Sequence, residues 1–167
     1  MKRLPTDEER AALVMGCDLI KTGSALIFRS QENGNKIILP ACGYKRSGNP
    51  KLQEAGIKGK YWTSDMDTYD LIWIIGFDRY DKMMTYTSLT TDYNSVRLVS
   101  TEPAEGFVDL GLSVYWADHN EDGLMTWHEA MKAYNHKKYL RLLKEQKIAM
   151  FKERVRQAVE KNKVDKV

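Results

Sequence analysis

The stretch Phe107–Ala130, FVDLGLSVYWADHNEDGLMTWHEA, decides the fold, because its middle can be read in two ways. Residues 118–129 match the calcium-loop pattern D-x-[DN]-x-[DN]-G-x5-E. As such a loop they would offer Asp118, Asn120, Asp122, the Leu124 carbonyl, Thr126 through a water, and Glu129, with Gly123 at the sharp turn. A calcium hand of the usual kind needs a helix on both sides. Here the preceding residues alternate, with Leu110, Leu112, Val114 and Trp116 on one face and Gly111, Ser113 and Tyr115 between them. That is the period of a strand. On the other side Thr126 and Glu129 are spaced as a capping box, which gives Glu129 a role without metal. Asp and Asn beside Gly also make an ordinary strand-to-helix turn. The reading is therefore strand, capped turn, helix. Calcium stays as the alternative, since a lone loop of this kind can follow a non-helical segment.

Beyond Thr126 the chain has no Gly or Pro, and helix formers dominate. Leu140, Leu143, Ile148, Phe151, Val155, Ala158 and Val159 form an amphipathic stripe. Its later spacing is heptad-like over two heptads, too short to specify a coiled coil. From Thr126 onward twelve Lys/Arg stand against five Asp/Glu, a charge of +7, while the remainder has fourteen against eighteen, a charge of −4. An acidic body thus carries a basic tail. Lys137, Lys138, Arg141, Lys144, Lys147, Lys152, Arg154 and Arg156 are spread around the helix without interleaved aromatics. They read as a solvated face around an oligomerisation or docking seam, not as a nucleic-acid contact.

Ahead of the deciding stretch, Thr6 is an N-cap with Glu9 at the capping-box position, and Ala12, Leu13 and Val14 give that first helix a buried stripe ending at Gly16. SALIFRS and KIILPA flank Glu32-Asn33-Gly34-Asn35 and predict a hairpin. Gly43 to Gly59 is rich in Gly, Pro, Asn and Lys and reads as a long loop, a kind that is usually functional or mobile. KYWTS, DLIWIIGF, MMTYTSLT and SVRLVS are strand candidates, with Trp62 and Trp73 assigned to the core, and residues 101–106 form a linker.

In this order, RLPTDEERAAL, IILPACGYKRSG, YWTSD and SVRLV resemble the C-type lectin-like fold of the major-paralogous (Fib_succ_major) type, a fold shared by targets of diversity-generating retroelements. FVDLGLSVYWADHN and MTWHEAMKAY resemble the same family, but there they precede RLPT. The resemblance implies an α+β, C-type lectin-like domain of antiparallel strands plus two helices over residues 1–135, circularly permuted, followed by a long amphipathic helix. Within it 1–100 would be the main part, 101–106 the linker and 107–135 the permuted first strand and helix. Residues 136–167 would be a basic helical extension. Adjacent termini in such folds make the permutation feasible. A domain swap, in which FVDLGLSVYWA completes a neighbour's sheet, is the rival.

The resemblance also implies a ligand surface on the later strands and loops. The candidates are Tyr61, Ser64, Asp65, Asp67, Tyr69, Arg79, Tyr80, Tyr86, Ser88, Thr90, Tyr93 and Asn94, a paratope-like mixture of Tyr with short polar residues. The same residue types also suit a solvated strand face. Lectins that hold sugar through calcium carry Glu-Pro-Asn and Trp-Asn-Asp motifs, and neither occurs here. Formylglycine-generating enzymes share the fold class but need a late cysteine pair, and no Cys follows Cys42. No Ser/His/Asp set or phosphate loop is seen either, so the expectation is a protein that is not an enzyme.

With 43% apolar residues, four Trp and nine Tyr, the chain of 167 residues has the material for one real core. No apolar run approaches the ~20 residues that cross a bilayer. The N-terminus lacks a secretory pattern, so synthesis and residence in the cytoplasm are expected, or association with a virion by family analogy. Cys17 and Cys42 are expected to be free thiols, and His119, His128 and His136 surface residues. The functional expectation is non-catalytic recognition of a surface glycan or protein, as an adhesion or phage virion component. Two alternatives stand beside it: an assembly protein oligomerising through its C-terminal helix, and a domain stabilised by calcium through the 118–129 loop.

Overall fold

Thr6 starts the first helix by a reciprocal bond pair: its hydroxyl accepts from the Glu9 amide at 3.1 Å, and the Glu9 carboxylate accepts from the Thr6 amide at 2.9 Å. A computed structural model describes residues 1–80 and 84–165. It divides into two units, Met1–Asn135 and His136–Val167. In chain order the first holds β1 (Lys2–Arg3), α1 (Asp7–Gly16), β2 (Cys17–Thr22), β3 (Ala25–Ser30), β4 (Lys36–Pro40), β5 (Tyr44–Arg46), β6 (Asn49–Gln53), β7 (Lys58–Met66) and β8 (Ile72–Asp78). It continues with β9 (Met84–Ser88), β10 (Val99–Ser100), β11 (Phe107–Val108), β12 (Tyr115–Ala117) and α2 (Trp127–Tyr134), and the second unit holds α3 (His136–Asp165). The strand candidate MMTYTSLT begins at Met83, outside the described residues. The architecture is α+β, with small antiparallel sheets ordered β2-β3-β4, β5-β6, β7-β8-β9 and β1-β10-β12-β11. None of the described helices is long and apolar enough to cross a membrane.

The core follows from alternation. Leu26 and Phe28 of β3 face Ile37 and Leu39 of β4 inward, and all four are buried with Leu13, Tyr61, Ile75, Phe77 and Trp116 in one cluster. Each such side chain contributes about 1.5–3 kcal/mol relative to exposure. Three sequence expectations need correction. CDLIKT, unassigned above, is β2, an edge strand whose pairing runs from Cys17↔Ser30 to Thr22↔Ala25. Residues 43–59 are not a loop: β5 and β6 form a hairpin, with Tyr44↔Gln53 and Arg46↔Asn49.

The third correction concerns FVDLGLSVYWA, which is not one strand. β11 and β12 are separated by a bent segment around Gly111, whose φ is +72°. The segment is held by the turn after β3: the Ser30 hydroxyl donates to the Leu110 carbonyl at 2.7 Å, and the Asn33 and Asn35 amides both donate to the Asp109 carbonyl. Side chains still alternate in burial, with Leu110 and Trp116 fully buried and Val114 nearly so. β12 returns beside β10 of its own chain, at Val99↔Trp116 and Ser100↔Tyr115. Of SVRLVS only the last two residues are strand.

Both cysteines are free. Burial pushes the Cys17 thiol up to about 11, which leaves it without thiolate reactivity near neutral pH.

Candidate functional site

The β5–β6 hairpin stands against the rest of the first unit through backbone bonds at its base. The Gly43 amide donates to the Lys58 carbonyl at 2.8 Å, and Lys45 and Tyr93 exchange both amide–carbonyl bonds at 2.8 and 3.0 Å. Gly43 has φ +72°, a conformation that favours glycine. Along β7 the period of two puts Lys58 and Lys60 on one face, while Gly59 between them makes room for the Phe77 ring on the other.

Those lysines meet the hairpin and β9 in a cluster of cations and phenol rings. The Lys60 ammonium sits 4.3 Å from the centre of the Tyr44 ring, the Arg46 guanidinium 5.5 Å from the same ring, and the Lys58 ammonium 5.3 Å from the Tyr86 ring. Such pairs are worth about 0.5–2 kcal/mol each, most when desolvated. Together with Thr87 these five side chains line a cavity of about 110 Å³. Lys60 reaches Asp92 at 3.5 Å, and Asp92 accepts from the Ser88 hydroxyl at 2.9 Å. Burial pulls Lys60 below the ordinary lysine range, with Asp92 opposing it. Lys58 pairs with Glu54 at 3.5 Å.

Arg46 also borders a larger cavity of about 510 Å³, with Lys45, Asn49, Pro50, Tyr93 and Leu124. Lys45 and Leu124 are shared in turn with a third, of about 340 Å³, which Cys42, Asn120 and Glu121 help line. The three surround the hairpin, the first two meeting at Arg46 and the last two at Lys45 and Leu124, and are together called the groove. Its wall at Asn120 is anchored from within. Arg97, only 2% exposed, donates to the Asn120 side-chain oxygen at 2.8 Å, the Ala117 carbonyl at 2.9 Å and the Ile38 carbonyl at 2.7 Å. Burial lowers the Arg97 pKa, and no carboxylate of the described residues bonds to it. The Asn120 amide donates to the Tyr61 hydroxyl at 3.0 Å, which donates to the Pro40 carbonyl at 2.6 Å.

Of the twelve expected ligand residues, Tyr86 and Tyr93 reach this groove. Tyr61, Ser64, Ser88 and Asn94 do not form a surface, being at most 4% exposed. Tyr61 stacks on Phe77, and Ser88 accepts from Asn94 while donating to Asp92. Asp65 accepts from the Asp7 amide at the start of α1, and Asp67 accepts from the Tyr69 and Leu71 amides in a local turn. The Thr90 carbonyl accepts from the Trp127 amide. Tyr69 and Tyr80 are exposed away from the groove, and Arg79 lines a separate cavity with Lys21 and Ser24. The sequence reading passed over Tyr44, Lys45, Arg46, Lys58 and Lys60. Their signal was present, in the consecutive cations of GYKRSG and the alternation of KGK, but it lay in a segment read as a loop.

The calcium-loop residues are scattered in their allegiances. Asn120 points inward to Arg97, Thr126 caps α2 by accepting from the Glu129 amide, and Glu129 accepts from the Thr126 hydroxyl at 3.0 Å. Asp118 bonds His119 at 2.6 Å, and Leu124 lines the groove. The neighbouring Met125 carbonyl accepts from the Trp62 indole and the Asn94 amide. Among the described residues no group of three or more His, Cys, Asp or Glu is placed to hold a metal ion.

Residues 27–99, under half of the chain, match a family model described as a domain of unknown function (DUF8237). The matched segment runs from β3 to the start of β10 and contains Tyr44, Lys45, Arg46, Lys58, Lys60, Tyr86 and Tyr93, but not Asn120 or Leu124. No curated protein and no solved structure matches the chain.

Proposed function

We propose that this chain is a non-catalytic recognition module of C-type lectin-like design, which binds a glycan or protein displayed on a surface. The observation that carries the reading is the groove around the β5–β6 hairpin, where tyrosine rings, cations and an amide line cavities that share residues. Tyrosine supplies rigid contact area with a polar tip, and the cations and amides orient a polar ligand. The lectin-like part of the proposal draws on the α+β architecture and on the return of residues 115–117 beside β10, where a permuted first strand belongs. The non-catalytic part draws on the groove's thiol, Cys42, which accepts from the Asn120 amide at 3.6 Å.

A glycan and protein array probed with the full chain, in calcium and again in EDTA, tests the reading. Selective binding of equal strength in both buffers is expected, because Asn120 and Thr126 already have partners in the fold. A blank array sinks recognition. Binding lost in EDTA would restore the calcium loop to the mechanism.

A second reading, assembly, rests on a different observation. α3 runs for 30 residues and carries Ile148, Phe151, Val155 and Val159 at 45–68% exposure along one stripe. Light scattering of the full chain decides it: a multiple of 19.3 kDa is expected if this helix joins copies, and the monomer mass retires the idea.

A further inference from the structure

We propose that the small cavity between β5 and β7 binds one oxyanion, a carboxylate, sulfate or phosphate group, carried by an acidic sugar whose ring lies past Arg46 in the adjoining cavity. The inference rests on the recognition reading and specifies its ligand.

Charge is the first argument. Arg46, Lys58 and Lys60 converge on a cavity of about 110 Å³, and their near carboxylates are Asp92 on Lys60 and Glu54 on Lys58. Arg46 is exposed and lies over the Tyr44 ring; among the described residues no carboxylate forms an ion pair with it, and Asp92 and Glu54 act on it only from a distance. The concentration is not a by-product of a basic domain, since residues 1–125 carry a net −4. A positive pocket on an acidic body focuses anions at that point.

Desolvation is the second. Lys60 is 11% exposed, between the Tyr44 ring and Asp92, and burial lowers its pKa. An entering anion would stabilise the charged lysine there and accept from Arg46 in the forked geometry that guanidinium offers.

Size is the third. At about 110 Å³ the cavity is much the smaller of the two that meet at Arg46, and it suits one anionic group better than a sugar ring. The neighbour that shares Arg46 is about 510 Å³, within the range of small-ligand sites, and presents Tyr93, Pro50 and Leu124 beside Asn49 and Lys45. The Asn49 side-chain oxygen accepts from the Lys51 amide, so its amide nitrogen is left to donate to a hydroxyl. A nucleic acid would call for a basic track along a backbone, and a single enclosed group does not provide one.

The test uses the full chain against matched oligosaccharides that differ only in being neutral, carboxylated, sulfated or phosphorylated, with an acidic peptide series alongside. The acidic sugars are expected to bind at least about tenfold more tightly than the neutral one, as for hydrogen bonds to a charged group. Arg46→Gln should abolish that preference, and Lys51→Gln, exposed on the same hairpin and outside the cavity, should leave it intact. Arg46 is exposed, so the variant keeps the fold, which its unchanged melting curve would verify. Competition by free sulfate, phosphate and acetate identifies the preferred oxyanion. Equal binding of neutral and acidic sugars, indifferent to Arg46→Gln, overturns the inference while leaving recognition standing. Preference for the acidic peptides overturns it in favour of a protein ligand. No binding of any sugar or peptide fails the recognition reading, and this inference with it.

Discussion

Replacing Arg97 by methionine is expected to destabilise the Met1–Asn135 unit by about 2–4 kcal/mol, lowering its thermal midpoint by roughly 8–15 °C. Arg97 is buried and its three donors go to the Asn120 side chain and the carbonyls of Ala117 and Ile38. Ile38 lies on β4, an edge strand of its sheet, so the guanidinium joins that edge to the end of β12. Methionine fills much of the volume but donates nothing, so those bonds to the acceptors are lost, at about 1–3 kcal/mol for each one left unsatisfied. Part of that is offset, because a charge no longer has to be desolvated. The effect should reach the groove as well. With Oδ1 of Asn120 released, residues 120–124 lose one of their internal anchors, leaving the Tyr61 hydroxyl and the Val96 carbonyl, and ligand affinity should fall. Arg97→Lys keeps the charge but concentrates its donors at one point, so it should recover only part of the loss. A methionine variant melting within about 2 °C of wild type would show that the buried guanidinium holds nothing together.

The second large effect is expected from Gly43→Ala. Gly43 has φ +72°, and a Cβ there would run into the Gln53 carbonyl oxygen and approach the Ala55 amide nitrogen at 2.8 Å and its Cα at 3.0 Å. All three atoms are backbone, so no side chain can rotate away. Left-handed strain of about 1–2 kcal/mol per residue adds to a steric term of about 1–3 kcal/mol. The β5–β6 hairpin should be displaced from its seat, taking Tyr44, Lys45 and Arg46 with it. Gly48, at the hairpin tip, is the internal control, since its φ is +76° but a Cβ there meets nothing within 4 Å. In its melting curve Gly48→Ala should show the backbone strain alone; Gly48 lines the larger cavity, so the comparison is one of stability. Gly43→Ala should lose much of both stability and binding, and Gly48→Ala only a little stability. Two variants that behave alike would remove the steric part of the argument.

The residues that were legible from sequence are those whose structure is settled by near neighbours. Thr6 and Glu9 close their capping box within one turn, and Thr126 and Glu129 cap α2 over the same spacing. The turn at Glu32–Asn35 joins β3 and β4 as its composition implies. The alternation of Leu110, Val114 and Trp116 foretold burial correctly even though the backbone between β11 and β12 is bent. Inward direction is a property of side-chain chemistry. Strand continuity depended on distant partners, namely Ser30, Asn33 and Asn35.

The tertiary structure decided the rest. β2 and β6 show little hydrophobic patterning, β6 being exposed in four of its five residues. They are strands because backbone partners lie alongside them, and the side chains of β6 record almost nothing of that pairing. The same cause explains the site. Ser88, Asn94 and Tyr61 have the chemistry of a recognition surface, but each meets an internal partner: Asp92 for Ser88 and Ser88 for Asn94 within one short segment, Asn120 for Tyr61 from far along the chain. Conversely, Arg46, Lys58 and Lys60 are plain surface cations until the hairpin lies against β7 and brings them around one cavity with Tyr44 and Tyr86. A polar side chain bonds as readily to a buried partner as to water, so sequence by itself determined which residues could hydrogen-bond, and only the fold decided to what.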